Sequence, residues 1–229
     1  MGTELTLVRH GHAVRIHGRY LNSPLTALGE KQATLTGQAL CERGIRYDGF
    51  YCSPLRRARQ TAARIGAKIG EVPHVRRGVQ EWENHEVPEL VAFETLAHLG
   101  LFGGYLYTHA GRPLHWPVVG RVSRVLSRLI EQHPDEQIAV VAHSGIISAV
   151  LAWYFPKRRR AWYRFTMDNC SLTTLRIEGT RAELVLLNDT RHLAPEETTV
   201  QPPARTVIQA TTAQQKIGAE VSKVAKPNP

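Results

Sequence analysis

A chain of 229 residues with 42% hydrophobic content is long enough for one sizeable core, or at most two small ones. No apolar run approaches the roughly 18–20 residues of a membrane helix, and the opening MGTELTLVRHGH lacks the basic-then-apolar pattern of a signal peptide. A formal charge of +9 and a pI near 9.8 favour an anionic partner without choosing among phosphorylated metabolites, nucleic acid and membrane surfaces.

The first predicted element is a short strand, Glu4–Val8, which ends at Arg9-His10-Gly11-His12. Met1-Gly2 with Thr6 fits the loose myristoylation pattern, but Thr6 falls inside this strand and leaves no free arm for a lipid. Thr26 is placed to cap a helix running to about Arg43, with Leu28, Leu35 and Ala39 on one side. Tyr47–Cys52 reads as a second strand. Ser53 then serves as cap and Pro54 as first residue of a helix whose stripe is Leu55, Ala58, Ala62, Ile65 and Ile69.

Residues 84–134 are less regular, aromatic-rich, and of a length that suits a cap insertion; a helix is predicted from Val118 to His133. Ile138–Ala142 is continuous and apolar, as in a strand buried on both faces, and His143-Ser144-Gly145 leads into a helix from Ile146 to about Tyr154. Ser171–Ile177 and Ala182–Leu187 read as two more strands. Alternating β and α elements predict an α/β fold of three α/β/α layers, a mostly parallel sheet with helices on both faces. The domain is expected to span 1–193. Residues 194–229, rich in Ala, Pro, Thr and Gln and without an aromatic residue, are expected to form a mobile tail with a weak helix around Gln214–Lys226.

Cys41, Cys52 and Cys170 form a sparse, odd set without CxxC spacing, which supports neither a disulfide framework nor a thiolate zinc site. With no export signal, a soluble protein of the reducing cytoplasm is expected. Three polar clusters, Arg9-His10-Gly11, Ser53 to Arg57 and His143-Ser144-Gly145, fall at the predicted C-terminal ends of three strands. In open α/β sheets ligands bind at that edge. Cations in the first turn after Ser53 oppose the helix dipole unless an anion sits between them, as a phosphate would.

These residues resemble the histidine phosphatase (phosphoglycerate mutase-like) superfamily, in its phosphatase branch. Arg9-His10-Gly11 resembles its RHG signature. In order follow Pro24–Ala33 (PLTALGEKQA), Ser53–Ala62 (SPLRRARQTA), Val79-Gln80-Glu81 and Val140–Gly145 (VVAHSG), and the resemblance covers about 4–193. It implies that His10 is the nucleophile that becomes phosphohistidine. Arg9, Arg57 and His143 would bind the phosphoryl group, with His10, Glu81 and His143 as the catalytic set. Glu81 would be acid for the leaving oxygen and base for water, with Glu83 as rival. The implied function is metal-independent phosphomonoester hydrolysis without a cofactor, since the arginines and the second histidine supply the positive charge.

Other residues are candidates of lower rank. His12, Ser23 and Ser144 are candidate substrate contacts; His17 and Asn169 lie near the same region, and Ser144 is also a candidate cap. His192 reads as structural. Mutases of the family carry Glu-Ser/Thr after RHG, where this chain has His12-Ala13, and an Asn where Ile16 stands. A bisphosphate-primed mutase therefore ranks second. A non-catalytic domain that binds phosphorylated ligands or nucleic acid is third, through Lys157–Arg160 with Trp162, Tyr163 and Arg164. The expected partner is a small phosphorylated substrate, with neither nucleic acid nor membrane. No motif names that substrate or an oligomeric state.

Overall fold

The computed structural model describes residues 2–15, 22–81, 116–158, 167–199 and 208–209. His17, Glu83, the predicted cap from 84 to 115, most of the basic cluster after Arg158 and the helix predicted at Gln214–Lys226 lie outside them. The elements are β1 (Thr3–Arg9), α1 (Ala27–Glu42), β2 (Gly49–Cys52), α2 (Arg56–Ile69), β3 (His74–Val75) and α3 (Trp116–Gln132). They continue with β4 (Gln137–Ala142), α4 (Ser144–Tyr154), β5 (Leu172–Glu178), β6 (Arg181–Asp189) and the two-residue β7 (Ile208–Gln209).

The sheet order is β3-β2-β4-β1-β5-β6-β7. From β3 to β1 the pairings are parallel; from β1 through β7 they are antiparallel. The sheet is thus mixed within the expected α/β architecture. The hairpin β5–β6 needs only the turn at Gly179, φ +59°, whereas parallel neighbours need a crossover helix.

β4 is buried on both faces, as its unbroken apolar run predicts. Ile138, Val140 and Ala142 join one core with Leu5 and Leu7 of β1, Val122, Leu126 and Leu129 of α3, and Ile146, Ile147 and Leu151 of α4. Ala139 and Val141 point the other way, into a second core with Val8, Phe50, Leu40 of α1, and Ala58, Ala62 and Ile65 of α2. Period-2 alternation in the strand thus holds a helix pair on each face. Each fully buried aliphatic side chain contributes about 1.5–3 kcal/mol. Helix α3 packs in this core, so the part of the expected cap from Trp116 onward belongs to the central layers.

Two helices differ in detail from expectation, α1 in its inward face and α2 in its start. Thr26 caps α1 as predicted, its Oγ1 accepting from Gly29 N at 3.2 Å. The inward face of α1, however, is Gly29, Gln32, Ala33, Thr36, Gly37 and Leu40, with Leu28, Leu35 and Ala39 half-buried. Small residues win there because α1 runs close to α2: a Cβ on Gly37 would stand 3.0 Å from Ile65 Cα. Helix α2 begins at Arg56 with Leu55 as cap residue, two positions later than predicted, which releases Ser53 for another role.

Residues 194–199 and 208–209, past the expected boundary at 193, are built into the fold. Pro195–Glu197 forms a 3₁₀ turn, Glu197 is buried, and its Oε1 lies 2.8 Å from Lys31 Nζ of α1. Thr199 Oγ1 accepts from Asn169 N at 3.1 Å, and Ile208–Gln209 pairs with β6. Apolar content missed these contacts because they are polar.

Candidate active site

The C-terminal ends of β1, β2 and β4 are neighbours in the sheet, so the three polar clusters meet at one edge. His10 continues β1: its N–H donates to Ala142 O at 3.0 Å, and its carbonyl accepts from Asn169 Nδ2 at 2.7 Å. Gly11 N donates to Thr61 Oγ1 at 3.0 Å, and His12 N donates to Gln32 Oε1 at 2.8 Å. The RHG loop is therefore pinned by side chains of α1, α2 and the segment before β5. Gly11 and Gly29 are needed for this approach, because a Cβ on Gly29 would stand 2.0 Å from His12 O.

His10 is 2% exposed. Its Nδ1 lies 2.7 Å from Gly11 O, a carbonyl that can only accept, so the ring proton is on Nδ1. Nε2 then carries the lone pair, and Arg57 Nε donates to it at 3.2 Å. Burial, then the charges of Arg9 and Arg57, hold the His10 pKa well below the ordinary imidazole value. The ring is a neutral base.

Arg57 is 1% exposed and belongs to the first turn of α2, with its backbone carbonyl accepting from Thr61 Oγ1 at 2.8 Å. Arg9, also buried, comes from the end of β1, and its Nη1 donates to Met167 O. Two guanidinium groups on different elements thus converge on one imidazole.

His143 is fully buried, its ring centroid 5.0 Å from that of His10. Its Nε2 lies 2.8 Å from Ser53 Oγ. Ser53 Oγ accepts from Leu55 N at 3.3 Å, so its own proton is available for His143 Nε2. That leaves Nδ1 as the protonated nitrogen, buried and with no hydrogen-bond partner among the described residues. Burial, then the charges of His10, Arg57 and Arg9, keep His143 neutral. Ser53 therefore orients His143 and does not cap α2.

Glu81 reaches the same edge from the far side. Gly145 N, in the first turn of α4, donates to Glu81 Oε2 at 3.2 Å, where the helix dipole favours a carboxylate. A Cβ on Gly145 would meet Glu81 Oε1 at 2.6 Å, so a side chain there would shift the carboxylate from this position.

The lower-ranked candidates divide. The His12 ring is half-buried, with Nδ1 2.9 Å from the capping Thr26 Oγ1, and burial and the charges of Arg15 and Arg9 lower its pKa. Ser23 is buried in the turn before the Ala13–Leu25 bridge. Ser144 is the first residue of α4 and half-buried; the cap residue is His143, because β4 hands over to the helix one position earlier. His192 Nε2 lies 3.0 Å from Thr36 Oγ1 and 3.1 Å from Cys170 O, a tie between α1 and the sheet. Gln32 and Thr61 hold the loop, and Gln60 Oε1 accepts from Leu25 N at 2.9 Å, without any of the three having been singled out. All three stand inside the PLTALGEKQA and SPLRRARQTA stretches, which was the available signal.

Among the described residues no group of three or more His, Cys, Asp or Glu is placed to hold a metal ion, and no helix is long and apolar enough to cross a membrane.

Residues 5–190 match the family model of the histidine phosphatase superfamily, branch 1. The chain is 29% identical over 199 residues to a Hydrogenobacter thermophilus protein provisionally named phosphoserine phosphatase 2, covering 82% of this chain and 96% of that one. It is 26% identical over 200 residues to the mitochondrial serine/threonine-protein phosphatase Pgam5 of Caenorhabditis briggsae, covering 83% of this chain and 64% of that protein. In fold it is similar to an Entamoeba histolytica phosphoserine phosphatase mutant solved with phosphoserine, at TM-score 0.63 and 22% identity, over 84% of this chain and all of the other. The chain belongs to the histidine phosphatase superfamily, branch 1, and its enzyme class is phosphatase.

Proposed function

We propose that the protein hydrolyses phosphomonoesters in two displacements through a phosphohistidine on His10. The observation that carries this reading is the neutral His10 ring, with its proton fixed on Nδ1 and its Nε2 lone pair facing the Arg57 guanidinium. A substrate phosphate entering this edge takes over the Arg57 donor and frees Nε2 for in-line attack. Nε2 forms a bond to phosphorus as the ester P–O bond breaks, and the leaving oxygen takes a proton from Glu81. In the second displacement the Glu81 carboxylate accepts a proton from water. Its oxygen attacks phosphorus, the P–N bond breaks, and inorganic phosphate and neutral His10 are regenerated. One carboxyl group thus serves as acid and then base.

Arg9 and Arg57 present guanidinium donors to the equatorial oxygens, and His143 adds its Nδ1–H. Their charges are in place before substrate arrives, so little reorganisation accompanies the transfer. The central site asks only for a phosphoryl group, which suits small phosphorylated substrates. The chemistry uses protein groups alone, in a soluble, cytoplasmic protein.

The test is hydrolysis of p-nitrophenyl phosphate in EDTA by wild type and by His10→Ala. Turnover by wild type alone supports the reading, as does phosphate on the quenched enzyme that survives base and is lost in acid, the stability of a phosphohistidine. Equal turnover by both proteins refutes His10 as nucleophile.

A further inference from the structure

Beside the phosphoryl site, a groove of about 580 Å³ runs along the outer side of α2. Its walls include Asn22, Arg56, Arg59, Val72, Pro73 and Val75. Arg57 and Thr61, one helical turn apart, face His10 and the RHG loop. Arg56 and Arg59 stand on the adjoining face of the same turn, rotated about 100° per residue. The groove is therefore continuous in chain and helix surface with the site, and it takes no part in holding the phosphoryl group.

Three features make it a recognition surface. Arg56 and Arg59 are exposed, and neither makes an ion pair among the described residues. The backbone of Arg56 is held by Asn22, whose Oδ1 accepts from Arg56 N at 2.7 Å. Opposite them, Val72 is 78% exposed and Val75 is 47% exposed, two of four large hydrophobics exposed among the described residues. Among the described residues no carboxylate lines the groove. Finally, among the described residues the two-residue β3 is the terminal strand of the sheet, paired on one side only by β2, so its other edge offers backbone groups to an added strand.

We infer that this groove docks the polypeptide flanking a phosphorylated residue, an extended segment that carries acidic and aliphatic side chains. Acidic side chains meet Arg56 and Arg59, aliphatic ones cover Val72 and Val75, and the segment's backbone lies along β3. The unpaired edge favours a peptide over a compact metabolite, since a metabolite makes no use of ladder groups. The inference rests on the phosphatase reading of the central site. Small esters turn over without the groove, and peptides gain affinity from it.

Two phosphoserine peptides of equal length test this, one flanked by Glu and Val and the other by Lys and Ser. Wild type is expected to show a kcat/KM at least tenfold higher for the acidic peptide, mainly through KM. Arg56→Glu with Arg59→Glu should abolish or invert that preference while p-nitrophenyl phosphate turnover stays within twofold. Val72→Asp should weaken the acidic peptide in the same way. Equal kcat/KM for the two peptides in wild type, or a preference that survives the double reversal, overturns the inference. A parallel anisotropy titration uses the acidic peptide with serine in place of phosphoserine. Binding that falls with salt and is lost in the double variant supports the groove even if no protein turns over p-nitrophenyl phosphate, in which case the phosphatase reading fails separately. Absence of binding together with equal turnover of the two peptides leaves the groove without a role in recognition.

Discussion

Arg57 Nε stands 3.2 Å from His10 Nε2, so the cation proposed to neutralise the phosphoryl group covers the lone pair proposed to attack it. The pairing is possible only because the Gly11 carbonyl holds the ring proton on Nδ1. A protonated imidazole would repel the guanidinium, and the buried site could not hold both charges.

On the proposed reading Arg57 binds the transferring phosphoryl group. Arg57→Ala should lower kcat/KM for p-nitrophenyl phosphate by about 10²–10³-fold, the usual loss of one preorganised charge-stabilising donor. Arg57→Lys should recover little, because an ammonium cannot present the planar fork. Full activity in Arg57→Lys would show that a point charge suffices.

Acid should weaken both fold and catalysis through the same two rings. His10 and His143 have folded-state pKa values well below 6.5, so between those values and 6.5 the unfolded chain binds more protons than the folded one. Stability contributed by the neutral rings is complete above pH 6.5 and declines as pH falls below it. Urea midpoints at pH 7 and pH 5 should differ, and saturating phosphate or vanadate should narrow the gap by favouring the charged imidazoles. Identical pH dependence in a His10→Ala, His143→Ala double variant would contradict this assignment.

Ser53 orients His143 through the 2.8 Å contact with Nε2. Ser53→Ala leaves a buried ring nitrogen without that partner, a loss of about 1–3 kcal/mol, which lowers Tm by several degrees. Activity should fall with KM for phosphate esters rising, and Ser53→Thr should restore part of it. A Tm unchanged in Ser53→Ala would show that the hydroxyl does not hold His143.

Gly145→Ala would set a methyl group 2.6 Å from Glu81 Oε1 and displace the carboxylate. Both Gly145→Ala and Glu81→Gln should slow alkyl phosphates far more than p-nitrophenyl phosphate, because only a poor leaving group needs the proton. Equal losses on the two substrates would remove Glu81 from the acid role.

Ending the chain after Leu193 should destabilise the protein, contrary to what the tail's composition suggests. That cut removes Glu197 from α1 and Thr199 from Asn169, whose side chain holds the His10 carbonyl. A chain ending at Thr199 keeps these contacts and should melt several degrees higher than one ending at Leu193. Equal melting temperatures would show that the segment carries no stability.

The strand β4 and the helix stripe of α2 were legible from sequence because hydrophobic periodicity is a short-range signal, whereas the five ordered motifs were legible through their resemblance to a known family. His10, Arg57 and His143 could be named as candidates because each stands in one of those stretches at a predicted strand end. What needed the tertiary structure were pairings over long separations: Arg57 on His10, Ser53 on His143, Glu81 on Gly145. The antiparallel half of the sheet and the docking of Glu197 on α1 belong with them. Such contacts depend on which strands become neighbours, and that choice is made by global packing of two cores. No local pattern encodes it, so sequence alone supplied the chemical groups and the fold supplied their geometry.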